Sequence, residues 1–169
     1  MARRAAPFGC RILAANRTPK EPESGVEGVV PLADIDRMLP ECDTVALCTA
    51  LGPETTGLID ARRLSLMRSK AFLINIARGQ VVDEDAIYSA LRDRMIGGAA
   101  LDVWWQYPNA TEPGQRGSRH PFHELPNVIA TPHNSGWTSG MVERRWNEIA
   151  ENINRFVRGA PVINLVTTT

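Results

Sequence analysis

At 169 residues the chain is long enough for one domain with a real core. Its 19 basic residues equal its 19 acidic ones, so bulk charge points neither to nucleic acid nor to an anionic membrane surface. No apolar run approaches the ~20 residues that cross a bilayer, and Met1-Ala2-Arg3-Arg4-Ala5-Ala6-Pro7 lacks the apolar segment of a secretory signal. Cys10, Cys42 and Cys48 are odd in number and lack metal-ligand spacing, so they read as reduced thiols of a cytoplasmic protein with no metal site.

Strand-like and helix-like segments alternate, the pattern of crossover units on a parallel sheet. Arg11-Ile12-Leu13-Ala14-Ala15 predicts a short strand ended by Asn16-Arg17-Thr18-Pro19, and the polar residues 20–25, beginning at Lys20, predict a loop. Residues 32–39 give one or two helical turns, stopped by Pro40. Asp43-Thr44-Val45-Ala46-Leu47-Cys48 and Ala71-Phe72-Leu73-Ile74-Asn75-Ile76 read as the next strands. Asp83 caps a helix that runs through Arg92, with Ile87 and Leu91 on one face. Gly97-Gly98-Ala99-Ala100-Leu101-Asp102-Val103 has side chains small enough for a tightly covered central strand, and Asn127-Val128-Ile129-Ala130 is the last strand. Between them, residues 108–126 are long, polar and rich in Pro and Gly, which predicts a surface loop able to reach over a site. Val142, Trp146, Ile149, Ile153 and Phe156 form the apolar stripe of a helix ended by Gly159.

Two strand ends carry the chemistry. Ile74-Asn75-Ile76-Ala77-Arg78-Gly79 follows one buried strand and Thr131-Pro132-His133 another. In an open parallel sheet, residues just past the carboxyl ends of strands face the ligand crevice. An arginine fork suits a carboxylate and a histidine carries protons near neutral pH, so Arg78 and His133 together point to chemistry on a small carboxylic acid. His120 and His123 have no third ligand beside them and read as solvated loop side chains. Trp104, Trp105 and Trp137 read first as core fillers. A strand continuing through Trp104 and Trp105 would send them to opposite faces and leave one beside the site.

Four ordered blocks carry a family resemblance: Pro53-Glu54-Thr55-Thr56-Gly57-Leu58-Ile59; Leu73 through Glu84, containing Asn75-Ile76-Ala77-Arg78-Gly79; Gly98-Ala99-Ala100-Leu101-Asp102-Val103; and Leu125-Pro126-Asn127-Val128-Ile129-Ala130-Thr131-Pro132-His133. The chain resembles the D-isomer-specific 2-hydroxyacid dehydrogenases, relatives of phosphoglycerate and formate dehydrogenases, over nearly its whole length. The resemblance implies an α/β, Rossmann-like parallel sheet with flanking helices, truncated at its N-terminal side. Residues 1–138 would be a partial dinucleotide-binding domain, and residues 139–169 a C-terminal helix and tail that in the family return to the substrate domain. It implies an NAD(P)-dependent oxidoreductase of small 2-hydroxy or 2-keto acids, homodimeric when complete. Arg78 would bind the substrate carboxylate, His133 would be the acid–base, and Asp102 would hold the nicotinamide amide.

The cofactor would also meet Cys48 and Thr49 after one strand, Ile76, Ala77 and Arg78 after the next, and His133, Ser135 and Gly136 near the last. Cys48 reads more simply as a small buried residue. Asn16, Arg17 and Thr18 would face the adenosine ribose. With no carboxylate there and Arg17 present, NADP is favoured over NAD. Tyr107 stands where the family usually has a glutamate paired with the catalytic histidine. A tyrosine is ordinarily neutral but can orient an imidazole by a hydrogen bond. Glu112 and Glu124 are the substitute carboxylates within the loop. No Gly-x-Gly-x-x-Gly run occurs in the chain, and Ala2-Arg3-Arg4-Ala5-Ala6-Pro7-Phe8-Gly9 resembles the family helix that follows that loop. The chain therefore reads as the C-terminal part of a dehydrogenase, with a non-catalytic dimerisation or binding module as the competing reading.

Overall fold

Parallel strands organise the first of the two units into which this computed structural model divides, Met1–His133 and Asn134–Thr169. The structure describes residues 2–18, 21–111, 114 and 116–165. Met1, Pro19, Lys20 and Glu112 of the sequence reading lie outside the described residues. Strands β1 (Leu13–Asn16) and β2 (Gly28–Pro31) pair in parallel as one sheet. Strands β3 (Thr44–Leu47), β4 (Phe72–Asn75), β5 (Gly98–Leu101) and β6 (Val128–Ala130) form a second, also parallel, in the order β3-β4-β5-β6. The α/β, Rossmann-like expectation is met.

The strand β2, with its Val29-Val30 core, had no counterpart in the sequence reading, and neither did helix α2 (Ala61–Leu66). Helix α2 starts where the Asp60 carboxylate accepts the Arg63 N–H at 2.8 Å. The expected turn over residues 32–39 becomes two 3₁₀ segments, Leu32–Arg37 and Leu39–Glu41. Pro40 does not stop the segment, because it occupies the first turn of the second 3₁₀ helix, where its missing N–H costs nothing. At the N-terminus, α1 (Ala2–Ala5) runs into a 3₁₀ turn that ends at Gly9 with φ 76°.

Helix α3 (Glu84–Arg92) forms as its cap predicts: the Asp83 carboxylate accepts the Ala86 N–H at 2.8 Å, and Ile87 and Leu91 are fully buried. They belong to one core with Leu64 of α2, Leu73 of β4 and Leu101 of β5. The opposite sheet face carries Phe72, Ile74, Ala100 and Ile129, which line an apolar hollow of about 560 Å³. Residues 108–126 are not wholly a surface loop. Phe122, in a 3₁₀ turn at Phe122–Glu124, is 1 % exposed and stacks on Trp105 with ring centroids 5.4 Å apart.

The second unit contains helix α4 (Met141–Val157), with Gly159 at φ 68° just beyond it. Its stripe of Val142, Trp146, Ile149, Ile153 and Phe156 is exposed, as is Trp137, so Trp137 is no core filler here. No described helix is long and apolar enough to cross a membrane.

Charged pairs fasten the periphery of the first unit. Arg11 reaches both Glu27 (2.7 Å) and Glu41 (2.9 Å), bridging the segments that lead into β2 and β3. Asp36 takes hydrogen bonds from Arg62 (2.7 Å) and Arg63 (2.8 Å) of α2, and these hold its carboxyl down at about 2. A depressed carboxylate stabilises the fold above its unfolded value near 3.8, and that stabilisation is lost as pH falls through about 2. An Asp36→Asn variant should therefore have a lower urea midpoint than wild type at pH 7, and the difference should shrink as the pH is taken from 4 towards 2. A gap that stays constant over that range would show that the charge on Asp36 is not the cause.

Candidate active site

Three neighbouring strands deliver three unlike groups to one edge of the sheet. Arg78 lies three residues past β4, Asp102 one residue past β5, and His133 three residues past β6. Arg78 and His133 are exposed, whereas Asp102 is 5 % exposed.

The Arg78 turn is shaped by Asn75, a polar residue inside an apolar strand and completely buried. Its Oδ1 accepts the Ala77 N–H (3.1 Å), its Nδ2 donates to the Arg78 carbonyl (3.0 Å), and its own carbonyl accepts the Asp102 N–H (3.1 Å). One side chain thus fixes the backbone that carries Arg78 and ties it to the residue that begins the next site turn. The Arg78 guanidinium donates to the Ala77 carbonyl (2.7 Å), and among the described residues no carboxylate pairs with it. An exposed guanidinium left in this state can take a carboxylate from solution.

Past β5 the chain does not continue as a strand. Consequently Trp104 and Trp105 are not divided between opposite faces: both are half-buried and both pack near Phe122. The Trp104 indole N–H donates to the Thr131 carbonyl (2.9 Å) and that of Trp105 to the Val82 carbonyl (2.7 Å). Gly117 accepts both the Trp105 and the Gln106 N–H at 3.1 Å, and Glu84 holds Ser118 Oγ (2.7 Å) and the Arg119 N–H (2.9 Å). The loop is therefore anchored on α3. His120 belongs to that anchorage rather than to solvent, with Nε2 2.6 Å from Asp85 and its ring stacked on Tyr88 at 4.4 Å. Asp85 is held below the usual carboxylate range by the His120 and Arg119 hydrogen bonds.

This anchored segment ends at Tyr107, whose Oη lies 2.9 Å from His133 Nδ1 and accepts the Trp104 N–H at 3.0 Å. His133 adopts φ 56°, a left-handed conformation uncommon for a residue with a side chain. Of the two loop carboxylates considered as its support, Glu112 lies outside the described residues and Glu124 faces His123 at 3.9 Å. With Nδ1 engaged by Tyr107, Nε2 is the nitrogen open to a substrate.

The remaining positions are spread along the same strand ends. Cys48 and Thr49 follow β3, and Cys48 is exposed rather than buried, because the strand ends at Leu47. Ile76 is exposed and Ala77 buried. Asn16 closes β1, its Oδ1 accepting the Arg17 N–H at 2.9 Å, and Arg17 and Thr18 are exposed. Ser135 and Gly136 belong to the second unit. Sequence reasoning missed the hydrogen-bonding roles of the buried Asn75 and the half-buried Gln80 and Thr131. The one signal for them was a polar residue in or just after an apolar run.

The family described as D-isomer specific 2-hydroxyacid dehydrogenase, NAD binding domain, matches residues 1–135. The chain is 40 % identical to a glyoxylate reductase of Thermococcus onnurineus over 159 residues, covering 94 % of this chain and 45 % of that protein. A 2-hydroxyacid dehydrogenase from Xanthobacter autotrophicus, solved with NADPH and MES, superposes with a TM-score of 0.78 at 36 % identity, covering 98 % of this chain and 64 % of that one. D-lactate dehydrogenase of Lactobacillus jensenii, solved with NAD+, gives 0.80 at 26 % identity, covering 99 % and 51 %. The chain spans about half the length of the curated relatives it matches.

Gly79 is the tightest point of this edge: a Cβ there would lie 2.3 Å from the carbonyl carbon and oxygen of Trp104. Gly79→Ala must push the Arg78 turn away from the Trp104 turn, since backbone cannot swing aside as a long side chain does. The expected loss is about 1–3 kcal/mol or slightly more, read as a lower denaturation midpoint. An unchanged midpoint would mean that the two turns are not in rigid contact.

Proposed function

The chain belongs to the D-isomer-specific 2-hydroxyacid dehydrogenase family, and we propose that it holds a nicotinamide cofactor and carries acid–base groups for hydride exchange with a small 2-hydroxy or 2-keto acid. The observation that carries this reading is the Tyr107–His133 contact at the same sheet edge as a buried Asp102 and an Arg78 with no carboxylate partner among the described residues. The groups present suit such a cofactor at two places. A buried carboxylate, Asp102, matches the N–H donors of a carboxamide. A cation and a hydroxyl, Arg17 and Thr18, match a ribose 2′-phosphate.

When bound, the nicotinamide supplies or accepts the hydride. Arg78 takes the substrate carboxylate and so orients the carbon that reacts. His133 Nε2 receives the hydroxyl proton during oxidation and returns it during reduction. Through this exchange Nδ1 keeps its proton and donates it to Tyr107 Oη, which also accepts from the Trp104 N–H. A hydroxyl oxygen has two lone pairs, so both donors are satisfied. This is a neutral counterpart of a histidine–carboxylate pair.

NADP is the favoured cofactor because residues 16–18 offer no carboxylate to repel its phosphate. The NADPH complex of the Xanthobacter relative accords with this, and the NAD+ complex of the D-lactate dehydrogenase keeps NAD as the alternative. Glyoxylate is the first substrate to test, given the named reductases among the relatives. A second reading, a binding module without catalysis, is favoured by the lack of a Gly-x-Gly-x-x-Gly run in the chain. Turnover of glyoxylate with NADPH by the protein from its native source, abolished by His133→Ala, supports the first. Cofactor binding without turnover of any 2-keto acid supports the second.

Two variants test the assigned roles. Arg17→Ala should weaken NADP(H) while leaving NAD(H) nearly unchanged, and equal losses would show that Arg17 touches a group common to both cofactors. Tyr107→Phe removes the hydrogen bonds to both the Trp104 N–H and His133; loss of the one at His133, worth about 0.5–1.5 kcal/mol, should lower kcat by roughly 2- to 10-fold at nearly constant KM. A rise in KM with kcat intact would place Tyr107 against substrate instead of against His133.

A further inference from the structure

Thr131, two residues before His133, directs all three of its polar groups at the end of β5 and the segment that follows it. Its hydroxyl donates to Asp102 Oδ1 at 2.6 Å. Its N–H donates to the Leu101 carbonyl at 3.0 Å, extending the β5–β6 pairing by one residue. Its carbonyl accepts the Trp104 indole N–H at 2.9 Å.

The hydroxyl contact has the length of a charge-assisted O–H···O⁻ hydrogen bond. It supplies a donor to a carboxylate that is 95 % removed from solvent, where each missing donor is costly. It also does something burial cannot do. The rotation of an aspartate carboxyl about its last bond is broad and soft, so its oxygens point in a defined direction only if something holds one of them. Threonine is suited to that task, since its branched Cβ restricts its own rotation. The proline that follows further confines Thr131 to extended backbone.

We propose that Thr131 is a positioning residue for the nicotinamide end of the cofactor, acting by setting the plane of the Asp102 carboxylate; this rests on the reading of Asp102 as the group that takes the nicotinamide amide. The same residue sets the start of the turn that delivers His133, so the cofactor anchor and the acid–base group share one support.

The test uses the 169-residue chain and two probes, NADPH and 2′-phospho-ADP-ribose, which lacks only the nicotinamide, titrated by calorimetry. Thr131→Val keeps the shape and deletes the hydroxyl, while Thr131→Ser keeps the hydroxyl. The expected result is that Thr131→Val lowers NADPH affinity by about 3- to 10-fold, changes 2′-phospho-ADP-ribose by less than about twofold, and that Thr131→Ser restores NADPH binding. Equal losses on both probes would show a merely structural role and overturn the proposal, as would no loss on either. Asp102→Ala separates the proposal from its premise. If that variant loses NADPH selectively and Thr131→Val does not, Thr131 alone is wrongly assigned. If Asp102→Ala leaves NADPH affinity unchanged, or wild type binds neither probe, the nicotinamide reading itself falls.

Discussion

Between the Arg78 turn and the Trp104 backbone there is no room for a single side-chain carbon, and Gly79 is the residue that permits the approach. The contact is reinforced from both sides. Gln80 Nε2 donates to the Trp105 carbonyl (3.1 Å), and the Asn75 carbonyl accepts the Asp102 N–H. Two turns that a parallel sheet would merely bring near each other are thereby held in fixed register. Everything chemical at this edge depends on that register: Arg78 rides on the first turn, while Asp102 and, through Trp104, Tyr107 ride on the second. A site built on interlocked strand ends holds its groups more tightly than one carried by a free loop.

The third turn is joined to the second by different means. Thr131 and Tyr107 each reach across to it, one through Asp102 and Trp104, the other through His133. These bonds involve hydroxyls, an indole and backbone groups, with Asp102 the only formal charge. A glutamate beside His133 would stabilise the imidazolium directly. Tyr107 instead meets the ring with a neutral hydroxyl, 2.9 Å from Nδ1. The cost of this choice falls on charge stabilisation, and what it keeps is direction.

The legible part of the fold was the part governed by local periodicity. The apolar runs at β3, β4 and β6, the Asp83 cap of α3 and the long amphipathic α4 each announce themselves within a few residues. β2 did not, because four residues beginning with glycine and ending with proline look like a turn until a neighbouring strand pairs with them. Pro40 misled because its effect depends on whether it lies inside a helix or at its first turn. Trp104 and Trp105 misled because the strand stops at Leu101, which the continuing apolar sequence conceals. For the site, the motifs gave the groups that face outward, Arg78 and His133. The side-chain hydrogen bonds of Gln80 and Thr131 span 25 and 29 residues and exist only once the strands are aligned, and those of Asn75, spanning 2 and 3 residues, exist only once the turn after β4 has formed.

Burial separates the charged groups of this edge by task. Arg78 and His133 are exposed, so each keeps its hydration until a ligand replaces it, and neither weighs on the stability of the fold. Asp102 is buried and would be a liability alone; its Thr131 contact makes it part of the core's hydrogen bonding as well as of the site. A buried carboxylate that is held in place can discriminate by direction, because it cannot turn to follow a ligand's donor. Exposed charges attract more broadly and discriminate less. The arrangement therefore gives precise orientation to Asp102 and broad attraction to Arg78 and His133.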